Sequence, residues 1–191
     1  MGKKLGELMK YRIFAVFAIM LLLSACVSSN DKEAAKLKEQ GDEHYKNHQL
    51  DSAIVVYEKS LALKEDIDVR NSLQVATNEL AAVKNARSII NELDSLKTKL
   101  KQAGNDSEIL EMIKKVESSF NEFKKIKSPS KTTISNFITT LNQNDTYKSF
   151  ETRTSLAIIS LQLGNGDADI FEYIKLLEDI IEKTSFLDIY K

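Results

Sequence analysis

The stretch from Asp68 to Gln102 restricts the fold of this chain more than any other part of the sequence. It contains neither glycine nor proline, and its apolar residues recur every three or four positions. This spacing predicts one uninterrupted helix, about 50 Å long, with a coiled-coil-like seam. The seam residues are Leu73, Ala76, Leu80, Val83, Ile90, Leu93 and Leu100, with Arg87 at one seam position.

The rest of the chain is equally favourable to helices. Its 191 residues include one proline and six glycines, whereas Leu, Lys, Glu, Ile and Ala are abundant. No segment shows the alternating, turn-bounded pattern that is typical of β-strands. We therefore predict an all-α fold.

A turn at residues 103–108 ends the long helix. Gly104 suits a left-handed cap at its C-terminus, and Asn105 can cap the next helix together with Glu108. The helix that follows this turn has the same spacing of apolar residues as the long helix. We therefore predict a long antiparallel helical hairpin over residues 68–127, in which the longer helix protrudes beyond the shorter one. The apolar residues of the second helix are Ile109, Ile113, Val116, Phe120 and Phe123.

The only proline, Pro129, marks the clearest internal boundary. Three amphipathic segments follow it, and they predict a small C-terminal helical bundle over residues 128–191. The segments are Thr132–Leu141, Tyr147–Leu163 and Asp167–Lys183. The last residues, "FLDIY", are apolar enough for us to expect that they dock onto the rest of the protein.

The beginning of the chain is typical of an export signal. A basic segment comes first, with Lys3, Lys4, Lys10 and Arg12. The apolar run Ile13–Ala25 follows, which is shorter than the about 20 residues that a transmembrane helix needs. The run ends in Leu23-Ser24-Ala25-Cys26, which resembles the lipobox of bacterial lipoproteins.

This resemblance implies that a signal peptidase cleaves before Cys26 and that the cysteine thiol carries a diacylglycerol. Residues 1–25 are then the signal peptide, and residues 26–33 are a lipidated polar spacer. The protein is expected on a bacterial cell membrane or outer membrane, anchored by lipid and facing away from the cytoplasm. The sequence leaves open which of these membranes it is, and whether translation starts at Met1 or Met9.

The charge balance bears on the class of partner. Once residues 1–25 are set aside, 23 basic and 27 acidic residues remain, which gives a formal net charge of −4. Nucleic-acid binding depends on a basic surface that neutralises phosphates, so we expect no nucleic-acid partner.

Residues 34–67 have the length and residue pattern of one tetratricopeptide repeat, a pair of antiparallel helices of 34 residues. The segment resembles that family at its small and aromatic positions. The usual turn glycine is replaced by His48, and the usual terminal proline by Glu65. The matching residues are Gly41, Tyr45, Ala53, Tyr57 and Ser60.

A single repeat cannot bury its own apolar face. Either the following helix or another molecule must therefore cover it. The family binds other proteins in the groove formed by the first helices of its repeats. The resemblance implies that the groove residues here are Ala35, Lys38, Asp42, Tyr45 and Lys46.

Catalysis and metal binding find little support in the sequence. His44 and His48 lie one helical turn apart near carboxylates, which would suit two metal ligands, but a zinc site needs three or four. They fit the repeat surface and its turn better. No nucleophile motif or phosphate-binding glycine loop is present. We therefore expect no enzymatic activity, no cofactor and no bound metal.

The sequence thus predicts a lipoprotein that binds or scaffolds an envelope or secreted protein through its repeat. The alternative is a structural or assembly lipoprotein in which the coiled-coil hairpin forms a homo-oligomer. The identity of the partner, the pathway and the oligomeric state stay open.

Overall fold

The computed structural model describes residues 29–129, 131–143, 145–164 and 167–190. Within these ranges the regular secondary structure is entirely helical, without a strand, which confirms the all-α prediction. The predicted signal peptide and Cys26 lie outside the described residues. The described helices are α1 (residues 29–46), α2 (Leu50–Leu63), α3 (Ile67–Leu100), α4 (Asp106–Lys124), α5 (Thr133–Gln143), α6 (Asp145–Gln162) and α7 (Asp167–Glu182), followed by a 3₁₀ helix (Ser185–Ile189).

The helix α3 is a single run of 34 residues, as its sequence predicts. At its start, one side-chain oxygen of Asp66 accepts hydrogen bonds from the backbone N–H of Asp68 at 2.8 Å and of Val69 at 3.2 Å. These bonds satisfy donors that the first turn of a helix cannot pair internally. Among the described residues, no helix is both long and apolar enough to span a membrane.

The turn between α3 and α4 confirms one predicted cap and corrects the other. The Asn105 side chain accepts a hydrogen bond from the backbone N–H of Glu108 at 3.0 Å, so it caps α4 as predicted. The left-handed cap at Gly104 is wrong, because Gly164 is the glycine with a positive φ in the described part of the chain. Instead, α3 ends in tight i→i+3 hydrogen bonds from Gln102 and Ala103, which need no left-handed residue.

The chain forms two compact units, and the division falls inside α3, between Ala76 and Thr77. The predicted boundaries at 67/68 and 127/128 differ from this division. The predicted spacer also overlaps α1, since residues 29–33 are already helical and Asp31 forms an ion pair with Lys64 at 3.2 Å.

In the first unit, α3 covers the apolar face of the repeat-like helix pair. Val69 and Ala76 of α3 are buried in one cluster with Ala53 and Tyr57 of α2. Of the two covers that the sequence left open, the following helix or another molecule, the described residues show the following helix in this place. Further residues packed against this cluster are Tyr45, Ile54, Leu61 and Leu73.

In the second unit, aromatic rings connect α4 to the C-terminal helices. Phe120 of α4 lies 4.5 Å from Phe150 of α6 between ring centroids, and Phe150 stacks on Tyr173 of α7 at 5.3 Å. Phe137 of α5 contacts Phe123 of α4 at 6.2 Å. Because α4 shares its core with the helices beyond Pro129, residues 68–127 and 128–191 do not form separate cores.

The C-terminal residues dock onto α3, as their apolar character predicts. The Tyr190 hydroxyl donates a hydrogen bond to Glu79 at 2.7 Å. The Arg87 guanidinium donates to the backbone carbonyls of Leu187 at 2.8 Å and of Tyr190 at 2.5 Å. These contacts join parts of the chain that are 100 or more residues apart.

The buried face of α3 is shifted by one position from the predicted seam at two places. Glu79 is buried where Leu80 was expected, and Ala86 is buried beside Arg87. Leu80 and Ile90 are half-buried. The shift places the Glu79 carboxylate against Tyr190 and leaves Arg87 at the edge, where it reaches the C-terminal carbonyls.

Candidate peptide-binding groove

A groove of about 370 Å³ opens on the surface of the first unit, between α1, α2 and the beginning of α3. Its volume lies at the lower end of the range of about 300–1,000 Å³ that is usual for small-ligand sites. We call it the Asp42 groove. It is lined by Asp42, Tyr45, Tyr57, Asn71, Ser72 and Val75.

Gly41 allows the Tyr57 ring to pack closely against α1 beside the Asp42 groove. A Cβ atom at this position would lie 2.5 Å from Cε1 of Tyr57, so only glycine allows α2 to approach α1 this closely. The Tyr57 ring is 1% exposed and packs directly on Gly41. As a result, its hydroxyl reaches the groove and donates a hydrogen bond to Asp42 at 2.7 Å.

The turn at residues 47–49 brings α2 back against α1. His48 has a φ of 58°, in the left-handed region that favours glycine. The backbone N–H of Gln49 donates to the carbonyl of His44 at 2.9 Å, and the Gln49 side chain bonds the His44 ring at 2.6 Å. Across the described ranges, no group of three or more His, Cys, Asp or Glu side chains is placed to hold a metal ion.

Asp42 is the charged residue among the described residues that line the groove, and its carboxylate accepts two hydrogen bonds. One carboxylate oxygen accepts the Tyr57 hydroxyl, and the other accepts the Lys38 ammonium at 2.8 Å. The hydrogen bond to Asp42 raises the pKa of Lys38, and the charges of Asp66 and Asp68 raise it further. Burial, followed by the hydrogen bond to Asp42, raises the pKa of Tyr57 far above its usual value.

The two groups that bond Asp42 differ in exposure. The side chain of Lys38 is 36% exposed and that of Asp42 is 46% exposed. Exposed ion pairs of this kind contribute at most about 1 kcal/mol to stability. The Tyr57 hydroxyl is held by a buried ring, so this bond is fixed, whereas the Lys38 ammonium can exchange with solvent or with another cation.

The structure brings together some of the predicted groove residues. Asp42 and Tyr45 line the groove, and Lys38 contacts it through Asp42. Ala35 and Lys46 are exposed but are not among the lining residues.

The helix α3 also contributes to the groove, which the sequence did not predict, through Asn71, Ser72 and Val75. A signal for it existed, since a repeat that continues into another helix must place that helix beside the first one. The apolar spacing of this stretch predicts only a cover for the apolar face of the helix pair.

Two further depressions lie in the second unit. The one beside Arg87 holds about 310 Å³, and the one beside Arg153 holds about 400 Å³. Arg87 already bonds the backbone of the C-terminal segment, so its guanidinium serves to hold that segment.

Comparison with known proteins gives no relative for this chain. No protein-family model, no curated protein sequence and no solved structure matches it. The geometry of the described residues is therefore the basis for a functional proposal.

Proposed function

We propose that this chain is a membrane-anchored extracytoplasmic lipoprotein that binds a segment of another protein in the Asp42 groove. The observation that carries the proposal is the convergence of three helices on one open groove that contains a carboxylate, two tyrosines, an amide, a hydroxyl and an exposed valine. A mixture of apolar and hydrogen-bonding groups suits a peptide, which offers both kinds of group.

The chemistry of the lining residues supports binding rather than catalysis. The raised pKa of Tyr57 keeps its phenol protonated, so that it acts as a hydrogen-bond donor. Its bond to Asp42 orients the carboxylate within the groove. A fixed acceptor of this kind adds specificity to a bound peptide.

Site-specific photocrosslinking in living cells tests the binding proposal. A benzophenone amino acid replaces Asn71 at the groove in one variant, and exposed Glu58 on the outer face of α2 in a control variant. We expect a discrete crosslinked protein from position 71 that is absent from position 58. Equal crosslinking from both positions, or none from position 71, would contradict binding in the groove.

A separate experiment tests the anchor. Metabolic labelling with an alkyne fatty acid should mark the unaltered chain and the control variant Ser24→Ala, which keeps a small residue before the cleavage site. The variant Cys26→Ser should lose both the label and its retention in membranes. Retention of the label in Cys26→Ser would overturn the lipoprotein assignment.

A second candidate function is self-association, and one observation favours it. Leu156 and Ile159 of α6 are 43% and 51% exposed, and Leu163, in the turn directly after the helix, is 70% exposed. By contrast, Val83 in the predicted hairpin seam is only 1% exposed. If this lipoprotein self-associates, α6 is therefore a better candidate surface than the predicted seam.

Mass measurements of the full chain over a range of concentrations test this candidate. Self-association should disappear in Ile159→Lys and persist in Val55→Lys, a control that alters an exposed apolar residue of the first unit. A monomer at all concentrations would exclude it.

A further inference from the structure

We infer that the Asp42 groove selects a basic side chain, lysine or arginine, of the peptide it binds; this inference rests on the proposed function. Asp42 is the one charged residue among the groove-lining residues that the structure describes. Its negative charge disfavours an acidic side chain or a terminal carboxylate. An apolar occupant would remove water from the carboxylate without replacing its hydrogen bonds, which is unfavourable.

The shape of the groove matches a side chain with an apolar stem and a cationic end. Val75 is 38% exposed and provides an apolar wall on which the methylene groups of lysine or arginine can pack. Half-buried Tyr45 adds an aromatic ring, and cations bind favourably to the faces of such rings. Asn71 and Ser72 add neutral oxygen atoms that accept hydrogen bonds.

Lys38 shows that the Asp42 carboxylate binds an ammonium group in this geometry. Its Nζ atom lies 2.8 Å from Oδ2 of Asp42, and Asp66 and Asp68 also act on its charge. The surroundings of the carboxylate therefore favour a cation. Because the Lys38 side chain is partly exposed, a basic side chain of a peptide can displace it from Asp42. Lys38 thus acts as an internal competitor that lowers the affinity of the groove for its ligand.

Nuclear magnetic resonance titration of the full chain tests this inference with defined peptides. The probe is a blocked pentapeptide, Ala-Gly-Arg-Gly-Ala, and its matched control carries citrulline, which has nearly the same shape but no charge. We expect the arginine peptide to shift the amide signals of Asp42, Tyr45 and Ser72. The citrulline peptide should bind roughly tenfold more weakly, because charge-assisted hydrogen bonds are about twice as strong as neutral ones.

Paired variants identify the residues responsible. Asp42→Asn should abolish the preference for arginine, whereas Glu58→Gln removes the same charge from an exposed site that does not line the groove and should leave it unchanged. Lys38→Met should strengthen binding of the arginine peptide, because the internal competitor is gone. Lys36→Met, also an exposed lysine on α1, should not do so.

The possible results separate this inference from the proposed function. Equal binding of the arginine and citrulline peptides, or an unchanged preference in Asp42→Asn, would overturn the selection of a basic side chain. Crosslinking at position 71 would then still support protein binding in the groove. Selective binding of the arginine peptide without any crosslinked protein in cells would support the inference and count against the proposed function.

Discussion

Each of the two units contains a tyrosine that donates a hydrogen bond to a carboxylate, and the two pairs differ in where the carboxylate lies. In the first unit, Tyr57 bonds Asp42, whose side chain is 46% exposed. In the second unit, Tyr190 bonds Glu79, which is 3% exposed. Both bonds are 2.7 Å long. The two pairs form the same kind of hydrogen bond, but Asp42 is accessible to a ligand, whereas Glu79 is enclosed within the fold.

The largest effect should come from breaking the enclosed pair. Tyr190→Phe removes one donor to a buried carboxylate that water does not readily reach, and we expect a loss of about 1.5–3 kcal/mol in the free energy of unfolding. Chemical denaturation followed by circular dichroism measures this loss. A change as small as that of an exposed substitution would show that Glu79 is satisfied without Tyr190.

High pH should act on both pairs in the same direction. Burial, followed by the hydrogen bond to a carboxylate, raises the pKa of Tyr57 and of Tyr190. The folded chain therefore keeps these protons when the unfolded chain has lost them. Stability should be unaffected below about pH 10 and should fall above it, by up to about 1.4 kcal/mol per pH unit for each tyrosine.

Denaturation at a series of pH values from 8 to about 12 follows this fall. Tyr190→Phe, with one titrating phenol fewer, should show a shallower fall than the unaltered chain. An identical slope in both proteins would mean that the Tyr190 phenol does not contribute to the pH dependence.

Breaking the exposed pair should have a smaller effect. Tyr57→Phe keeps the ring on Gly41 and removes only the hydroxyl, after which water can hydrate Asp42. We expect a loss of about 0.5–1.5 kcal/mol, the net contribution of an ordinary hydrogen bond. The same denaturation experiment measures it. A loss as large as that in Tyr190→Phe would remove the distinction between the two pairs.

The smallest effect should come from a third tyrosine, which provides the reference for both pairs. The Tyr173 hydroxyl is buried and has no hydrogen-bond partner among the described residues, while its ring stacks on Phe150. Tyr173→Phe keeps the ring and removes this hydroxyl, so stability should stay the same or rise by up to about 1 kcal/mol. A clear loss of thermal stability would reveal a partner for the hydroxyl and weaken the comparison.

Much of the fold is predictable because its determinants are local. The absence of glycine and proline from Asp68 to Gln102 predicts α3, and Asn105 with Glu108 predicts the start of α4. The burial of Glu79 is not predictable in this way. Its partner Tyr190 lies 111 residues further along the chain, and nothing in the neighbourhood of Glu79 indicates it.

The residues of the groove were likewise predictable only where they did not depend on long-range packing. Asp42 and Tyr45 could be assigned because the resemblance to the repeat family fixes which face of α1 is open. Asn71, Ser72 and Val75 could not, because their place depends on how α3 packs against the repeat-like pair. The regular apolar spacing of α3 continues through both units, so it does not indicate where one unit ends and the next begins.

The position of Tyr190 also determines when the second unit can be completed during synthesis. A chain that emerges with its N-terminus first presents the whole of the first unit, including the Ser60 bond to the carbonyl of Ala34, long before its last residues appear. The bonds of Glu79 and Arg87 to the C-terminal segment can form only after residues 187–190 have been synthesised. A chain that stops a few residues early would therefore have the segments of a complete first unit and an unfinished second one, with the Glu79 carboxylate lacking its tyrosine donor.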